Sequence, residues 1–320
     1  MIPLTEMRYV PSARMVRDYG TIEAATLHAQ DLATVFDHGG IYTMAAFDGA
    51  KDLAGTKWDA PSLAADRGLP GELLDGGEIA ASVMQRYVED NPTASGLLLA
   101  GGLNEALLDT YKEIGLVVDH GHRERLFTGY VGHVRINPEI VLVTGVGDVY
   151  VHINGELVVG VEKEIDRIHA ELITALAMHL GRNRQVIYEA LMPVLNLEQF
   201  RLQNYSGMKK GEVADYLAWI VINSTDLLGL SAEDIGRIAD KIFREDEPLW
   251  YPAIDGTATP GAGVQIANRP RASLETIVIH TDGFAPLAPG HEVRGLYDLK
   301  PVNPEFSEQL AMVLDLRPAA

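Results

Sequence analysis

Glu212 and Asp215 stand three residues apart in a stretch patterned as a helix, which puts both carboxylates on one face within reach of a shared hard cation such as Mg²⁺. The helix that carries them, Glu212 to Leu228, also holds Val213, Leu217, Ile220, Val221, Leu227 and Leu228, with Tyr216 and Trp219 interleaved. It is apolar around most of its circumference and reads as buried, in a bundle or between subunits. Acids in a first helical turn also compensate the helix dipole, so spacing leaves metal ligation and dipole compensation both open. Two looser groupings offer imidazole with carboxylate for Zn²⁺ or another divalent metal: Asp119-His120-Gly121-His122, and His280, Asp282, His291 and Glu292. Asp166-Arg167-Ile168-His169 has a D-x-x-H spacing with no partner copy on another helix. There is no P-loop lysine motif, no G-x-S-x-G and no H-E-x-x-H. Gly145-Val146-Gly147-Asp148 reads as a hairpin turn rather than a phosphate cradle, because a strand and not a helix follows it.

The run from Lys210-Gly211-Glu212-Val213-Ala214-Asp215 to Trp219, followed by Asp226-Leu227-Leu228-Gly229-Leu230-Ser231-Ala232-Glu233-Asp234-Ile235 and Lys241, resembles the second half of the MazG-like all-α nucleotide pyrophosphohydrolases. The resemblance spans residues 209–243. It implies that Glu212 and Asp215 are Mg²⁺ ligands and that a nucleoside triphosphate is cleaved to the monophosphate and pyrophosphate, with the cation bridging phosphate oxygens. The phosphates would be held by basic residues near in sequence, Lys209, Lys210, Arg182 and Arg184. The family's preceding helix supplies a further E-x-x-E pair. Here that position reads Tyr188-Glu189-Ala190-Leu191-Met192, which leaves Glu189 as a candidate third ligand and Met192 where the second acid would stand.

Composition limits the alternatives. Among 320 residues, 45 are acidic and 26 basic, and a formal charge of −19 repels a phosphate backbone, so nucleic-acid binding is not expected. Hydrophobic residues make up 47% of the chain and charged residues 22%, as in an ordinary globular protein that folds around a core. With no cysteine, a disulfide framework, a thiolate zinc site and a cysteine nucleophile are all excluded. The N-terminal segment carries charges and prolines where an export signal has an apolar stretch, and no long apolar run suits a membrane helix, so the cytoplasm is the expected compartment.

The elements predicted around these residues make an α+β chain in four parts. Residues 1–134 form an N-terminal α+β region. In it, helical spacing predicts a helix over Thr21 to Phe36 stopped at His38-Gly39-Gly40, a strand over Ile41 to Phe47, a loop from Asp48 to Gly77, and helices over Glu78 to Glu89 and Asn104 to Ile114. Residues 135–161 form a central antiparallel β-meander, in which Ile140 to Thr144 turns at Gly145–Asp148 into Val149 to Ile153 and then at Asn154-Gly155 into Glu156 to Val161. Residues 162–247 form a helical bundle, with Gly181 ending the first helix and a second starting at Arg184. Residues 248–320 form a β-rich tail with strands at Leu274 to His280, Val293 to Leu299 and Leu310 to Leu316. The meander strands are apolar on both faces, so a helix or another subunit must cover them, and a homo-oligomer is expected. Two functions follow from different features. One is a Mg²⁺-dependent nucleoside triphosphate pyrophosphohydrolase or a degenerate relative; the other is a non-enzymatic shell- or capsid-like subunit, suggested by the long Gly- and Pro-rich arm near residues 48–77.

Overall fold

Thr21, Ile22, Thr26, Thr34 and Val35 are β-branched, and where apolar spacing predicted one helix the chain forms two strands, β1 (Thr21–Thr26) and β2 (Leu32–His38). Stiff χ1 torsions favour the pleated backbone over the helix, and this outweighs the incidental three-and-four spacing. Gly39 and Gly40 do not stop a helix. With φ of 63° and 86° they make a two-residue hairpin turn that pairs His38 with Ile41 and starts β3 (Ile41–Ala50).

The computed structural model describes residues 21–26, 31–50, 56–116, 127–160, 173–187, 253–256, 263–301 and 310–316. The chain divides into two units, Met1–Val161 with Pro252–Ala320, and Glu162–Tyr251. In the second, the described residues are helical over 173–180 and 184–187, with Gly181 at φ 60° between them.

In the first unit, β4 (Lys57–Trp58) and β5 (Leu74–Asp75) pair around α1 (Pro61–Asp66), so the predicted loop after Asp48 holds local structure. Helix α2 (Gly76–Asp90) opens on a reciprocal cap: Asp75 accepts from the Glu78 N–H and the Asp75 N–H donates to the Glu78 carboxylate. Helix α3 (Gly96–Glu113) runs unbroken through Gly101-Gly102 and so begins ahead of the helix predicted from Asn104. Eight more strands follow: β6 (Thr128–Ile136), β7 (Ile140–Val146), β8 (Tyr150–Ile153), β9 (Glu156–Val159), β10 (Val264–Pro270), β11 (Thr276–His280), β12 (Phe284–Pro286) and β13 (Leu299–Pro301), before β14 (Leu310–Asp315). Val293 makes only an isolated bridge and a 3₁₀ turn follows at Leu296–Asp298, so the strand predicted from Val293 begins at Leu299.

Two five-stranded antiparallel sheets result, ordered β1-β14-β11-β8-β9 and β10-β7-β6-β3-β2. The fold is α+β, but the central meander is corrected: β7 pairs with β6 in one sheet while β8 and β9 pair in the other. Gly145–Asp148 is therefore a crossover between sheets rather than a hairpin turn. Asn154-Gly155, at φ 53° and 94°, is the expected tight turn, joining Ile153 to Glu156. The sheets pack face to face, and α2 and α3 cover the outer face of the second. Phe47, Val131, Ile79, Met84, Leu99, Leu103 and Leu107 fill that layer, each worth about 1.5–3 kcal/mol on full burial. Of the meander strands, β7 and β8 are mostly buried within the chain, while Leu157 of β9 is exposed.

Gly132 and Gly145 are paired neighbours in the second sheet, and a Cβ on Gly132 would lie 2.7 Å from Val149 and 3.2 Å from Ile279 of the facing sheet. The missing side chain lets the sheets close. Gly132→Leu is expected to destabilise the protein by about 2 kcal/mol or more, read as a lowered urea midpoint with an unchanged slope.

Candidate metal centre

Three acidic residues from separate parts of the sequence meet at one end of the two sheets. Asp48 lies near the end of β3 opposite Tyr130 of β6, and Asp148 lies in the crossover that leaves β7 at Val146, itself opposite Val131. Asp282 follows β11, whose last residue His280 pairs with Tyr150 at the start of β8. One carboxylate oxygen from each of Asp48, Asp148 and Asp282 lies within 4.8 Å of the others; Asp48 and Asp148 are buried and Asp282 is exposed.

Local sequence explains each position. Each acid adjoins a glycine, as Asp48-Gly49, Gly147-Asp148 and Asp282-Gly283. Gly147 has φ 80°, and a Cβ there would run into the Tyr130 ring, so both backbone conformation and space demand glycine before Asp148. Asp282 stands in a turn closed by the Phe284 N–H donating to the Thr281 carbonyl at 3.1 Å. Thr281 is itself fixed: its hydroxyl donates to the buried Asp31 carboxylate at 2.8 Å, and its N–H donates to the Leu310 carbonyl at 3.0 Å.

The donor set is all carboxylate oxygen, which suits a hard cation such as Mg²⁺ or Mn²⁺ and not a thiophilic one. Carboxylates this close repel one another when ionised, and a divalent cation between them removes that repulsion. The residues therefore fit the group, and the expected Mg²⁺ has a place to bind at a cluster that includes Asp282 from the predicted tail grouping.

Three buried histidines lie on β6, β8 and β11. His152 and His280 approach tip to tip, with their Nε2 atoms 3.1 Å apart, and both have pKa values lowered to about 4. Burial is the main cause for each; at His152 His280 adds to it and the Gly155 backbone opposes it, and at His280 the Thr281 backbone, the Asp282 carboxylate and the Phe284 backbone oppose it. On the helix-facing side of β6, His133 is fully enclosed and held to about 3, first by burial and then by Arg135.

Of the residues predicted to form a site, Glu189, Lys209, Lys210, Glu212 and Asp215 lie outside the described residues, as do Asp119–His122 and Asp166–His169. Arg182 and Arg184 are exposed in the second unit. From the tail grouping only Asp282 joins the cluster, while His291 pairs with Asp298 at 3.2 Å. The sequence pattern places Asp48 at the start of a loop and Asp148 in a turn. The signal that could have found them is an acid beside a glycine at three strand ends.

No family model and no curated protein matches the chain. Among solved structures it is similar to a bacterial serine phosphatase, at 9% identity and TM-score 0.45, covering 94% of this chain and 98% of that one. It is also similar to the serine/threonine phosphatase Stp1 from Staphylococcus aureus, at 10% identity and TM-score 0.44, covering 98% and 100%. A third is the Mycobacterium tuberculosis serine/threonine phosphatase PstP/Ppp, at 11% identity and TM-score 0.40, covering 93% and 98%. Likenesses at these scores do not assign the chain to a family.

The fold corrects the MazG-like expectation. The first unit is a two-sheet α+β fold, not the all-α bundle of the MazG-like nucleotide pyrophosphohydrolases. The nucleoside triphosphate substrate falls with it, because the helical resemblance was its only support. The shell-like alternative also loses its basis: part of the supposed arm is folded as α1, β4 and β5.

Proposed function

We propose that the chain is a divalent-cation-dependent phosphoester hydrolase, with Asp48, Asp148 and Asp282 as the cation ligands. One observation carries the reading: carboxylates from three separate elements converge within 4.8 Å, two of them withdrawn from water. Acids on an ordinary surface stay solvated and apart. Three carboxylates with one exposed member form a partial cage, and Mg²⁺ characteristically binds through a few carboxylates while leaving positions for water and phosphate oxygens.

A divalent cation held there would supply Lewis acidity and offset negative charge on a phosphoryl group. The chain's own part is positional. Asp48 is fixed by the β3–β6 ladder, Asp148 by the Gly147 crossover against Tyr130, and Asp282 by its turn, so the ligands are held before a substrate arrives. The exposed Asp282 leaves the cluster open on its side, where a phosphate can enter. A cytoplasmic setting, where a cysteine-free chain needs no oxidising surroundings, belongs to the same proposal.

Phosphorylated serine and threonine peptides and p-nitrophenyl phosphate are the first substrates to assay. Phosphate release with Mn²⁺ or Mg²⁺, lost in EDTA and restored by added cation, is the expected result. A folded protein that releases no phosphate from any of them with either cation would overturn the reading.

A further inference from the structure

The Thr281 carbonyl has two lone pairs, and both are used. It accepts from the Phe284 N–H at 3.1 Å, closing the turn that carries Asp282, and His280 Nδ1 lies 3.0 Å from it. A carbonyl can only accept, so His280 carries its proton on Nδ1. Its Nε2 is then an acceptor, and the atom facing it at 3.1 Å is His152 Nε2, which must donate. The two rings are 18° from coplanar with centroids 5.2 Å apart, so with the Nε2 atoms this close they lie nearly end to end, the geometry of a directed N–H···N bond. Tyr150 stacks on His280 at 5.0 Å and 15°, fixing the plane of its ring.

We propose that His152 and His280 form a positioning relay for Asp282: His152 orients the His280 imidazole, and His280 Nδ1–H locks the peptide from which the exposed ligand of the cation site projects. The inference rests on the cation-site reading above. Asp282 is the exposed member of the cluster, so the peptide that carries it contributes to its aim. Thr281 of that peptide is wholly buried, and its hydroxyl also accepts from the Leu310 N–H at 3.1 Å while donating to Asp31. The strap to Asp31 fixes the Thr281 side chain, and the imidazole relay fixes its carbonyl. Partners that orient a metal ligand in this way govern affinity without touching the metal.

The test separates hydrogen bonding from packing. Asparagine can place its amide N–H near the position of Nδ1, whereas glutamine reaches toward that of Nε2. Mn²⁺ affinity measured by calorimetry is expected to stay near the wild-type value in His280→Asn and to fall about 10-fold or more in His280→Gln, with melting temperatures checking that both fold. Thr281→Val, which removes the hydroxyl strap at nearly constant volume, is expected to weaken affinity similarly and serves if His280→Gln does not fold. Equal affinity in all three, with binding lost in Asp282→Asn, would overturn the relay and leave the cation site standing. Equal weakening in His280→Asn and His280→Gln would also overturn it, since packing alone treats them alike. Wild-type protein that takes up no Mn²⁺ would overturn the site and the relay together.

Discussion

Asp148→Asn is expected to lower cation-dependent phosphate release by about 100-fold or more, since changes one shell outside a metal already cost 10–100-fold and this residue is placed as a ligand. Asparagine keeps the shape and removes the charge, so the ligand is lost without a cavity. Asp148 is fully buried within 4.8 Å of Asp48 and Asp282, and neutralising it relieves repulsion in the cation-free protein. The melting temperature without cation should therefore hold or rise while activity falls. The signature of a ligand is that divergence. At a concentration about 100 times its Kd, a cation binding only the folded state stabilises by about 2.7 kcal/mol, and the variant should lose this increment too. A drop in stability that parallels the drop in activity, with cation stabilisation intact, would instead mark Asp148 as a structural residue. Steady-state assays and thermal melts, each with Mn²⁺ and with EDTA, separate the two.

Acid lability is the second large effect. His133 has a folded pKa of about 3 against an ordinary value of 6.5, so the folded protein binds fewer protons than the unfolded chain below that value. The stability this neutral imidazole permits is fully present above the unfolded pKa and falls as pH drops toward the folded one. From about pH 7 to about pH 5 the loss is about 2 kcal/mol for His133 alone. His152 and His280, both lowered to about 4, act in the same direction over the same range. Urea unfolding at the two pH values should show the loss in the wild type, and His133→Gln should show about 2 kcal/mol less of it. A pH dependence identical in the two proteins would mean that His133 is not held neutral by its burial.

How much of this the sequence reveals depends on the range over which each signal acts. The Asn154-Gly155 turn, the helix begun at Asp75 and Glu78 and the strands Thr276–His280 and Leu310–Asp315 are written in residues close together. Those parts are legible. The Thr21 to Phe36 stretch misleads because apolar residues there happen to fall at helical intervals, although its β-branched residues and the Gly39-Gly40 turn point to strands. The crossover at Gly145–Asp148 is hidden for another reason. Whether two strands pair or part depends on partners elsewhere, here β6 for one and β11 for the other. The site is illegible on the same ground: Asp48, Asp148 and Asp282 become neighbours only once two sheets close on Gly132. Glu212 and Asp215 are three residues apart, and a spacing along the chain is readable from the sequence. A tertiary cluster is not.

Manganese scatters anomalously, so a crystal equilibrated with Mn²⁺ tests the cation site directly. An anomalous peak between the carboxylates of Asp48, Asp148 and Asp282 is the result this account predicts. A peak that instead sits at Glu212 and Asp215, or no peak in a crystal whose protein binds manganese in solution, would contradict it.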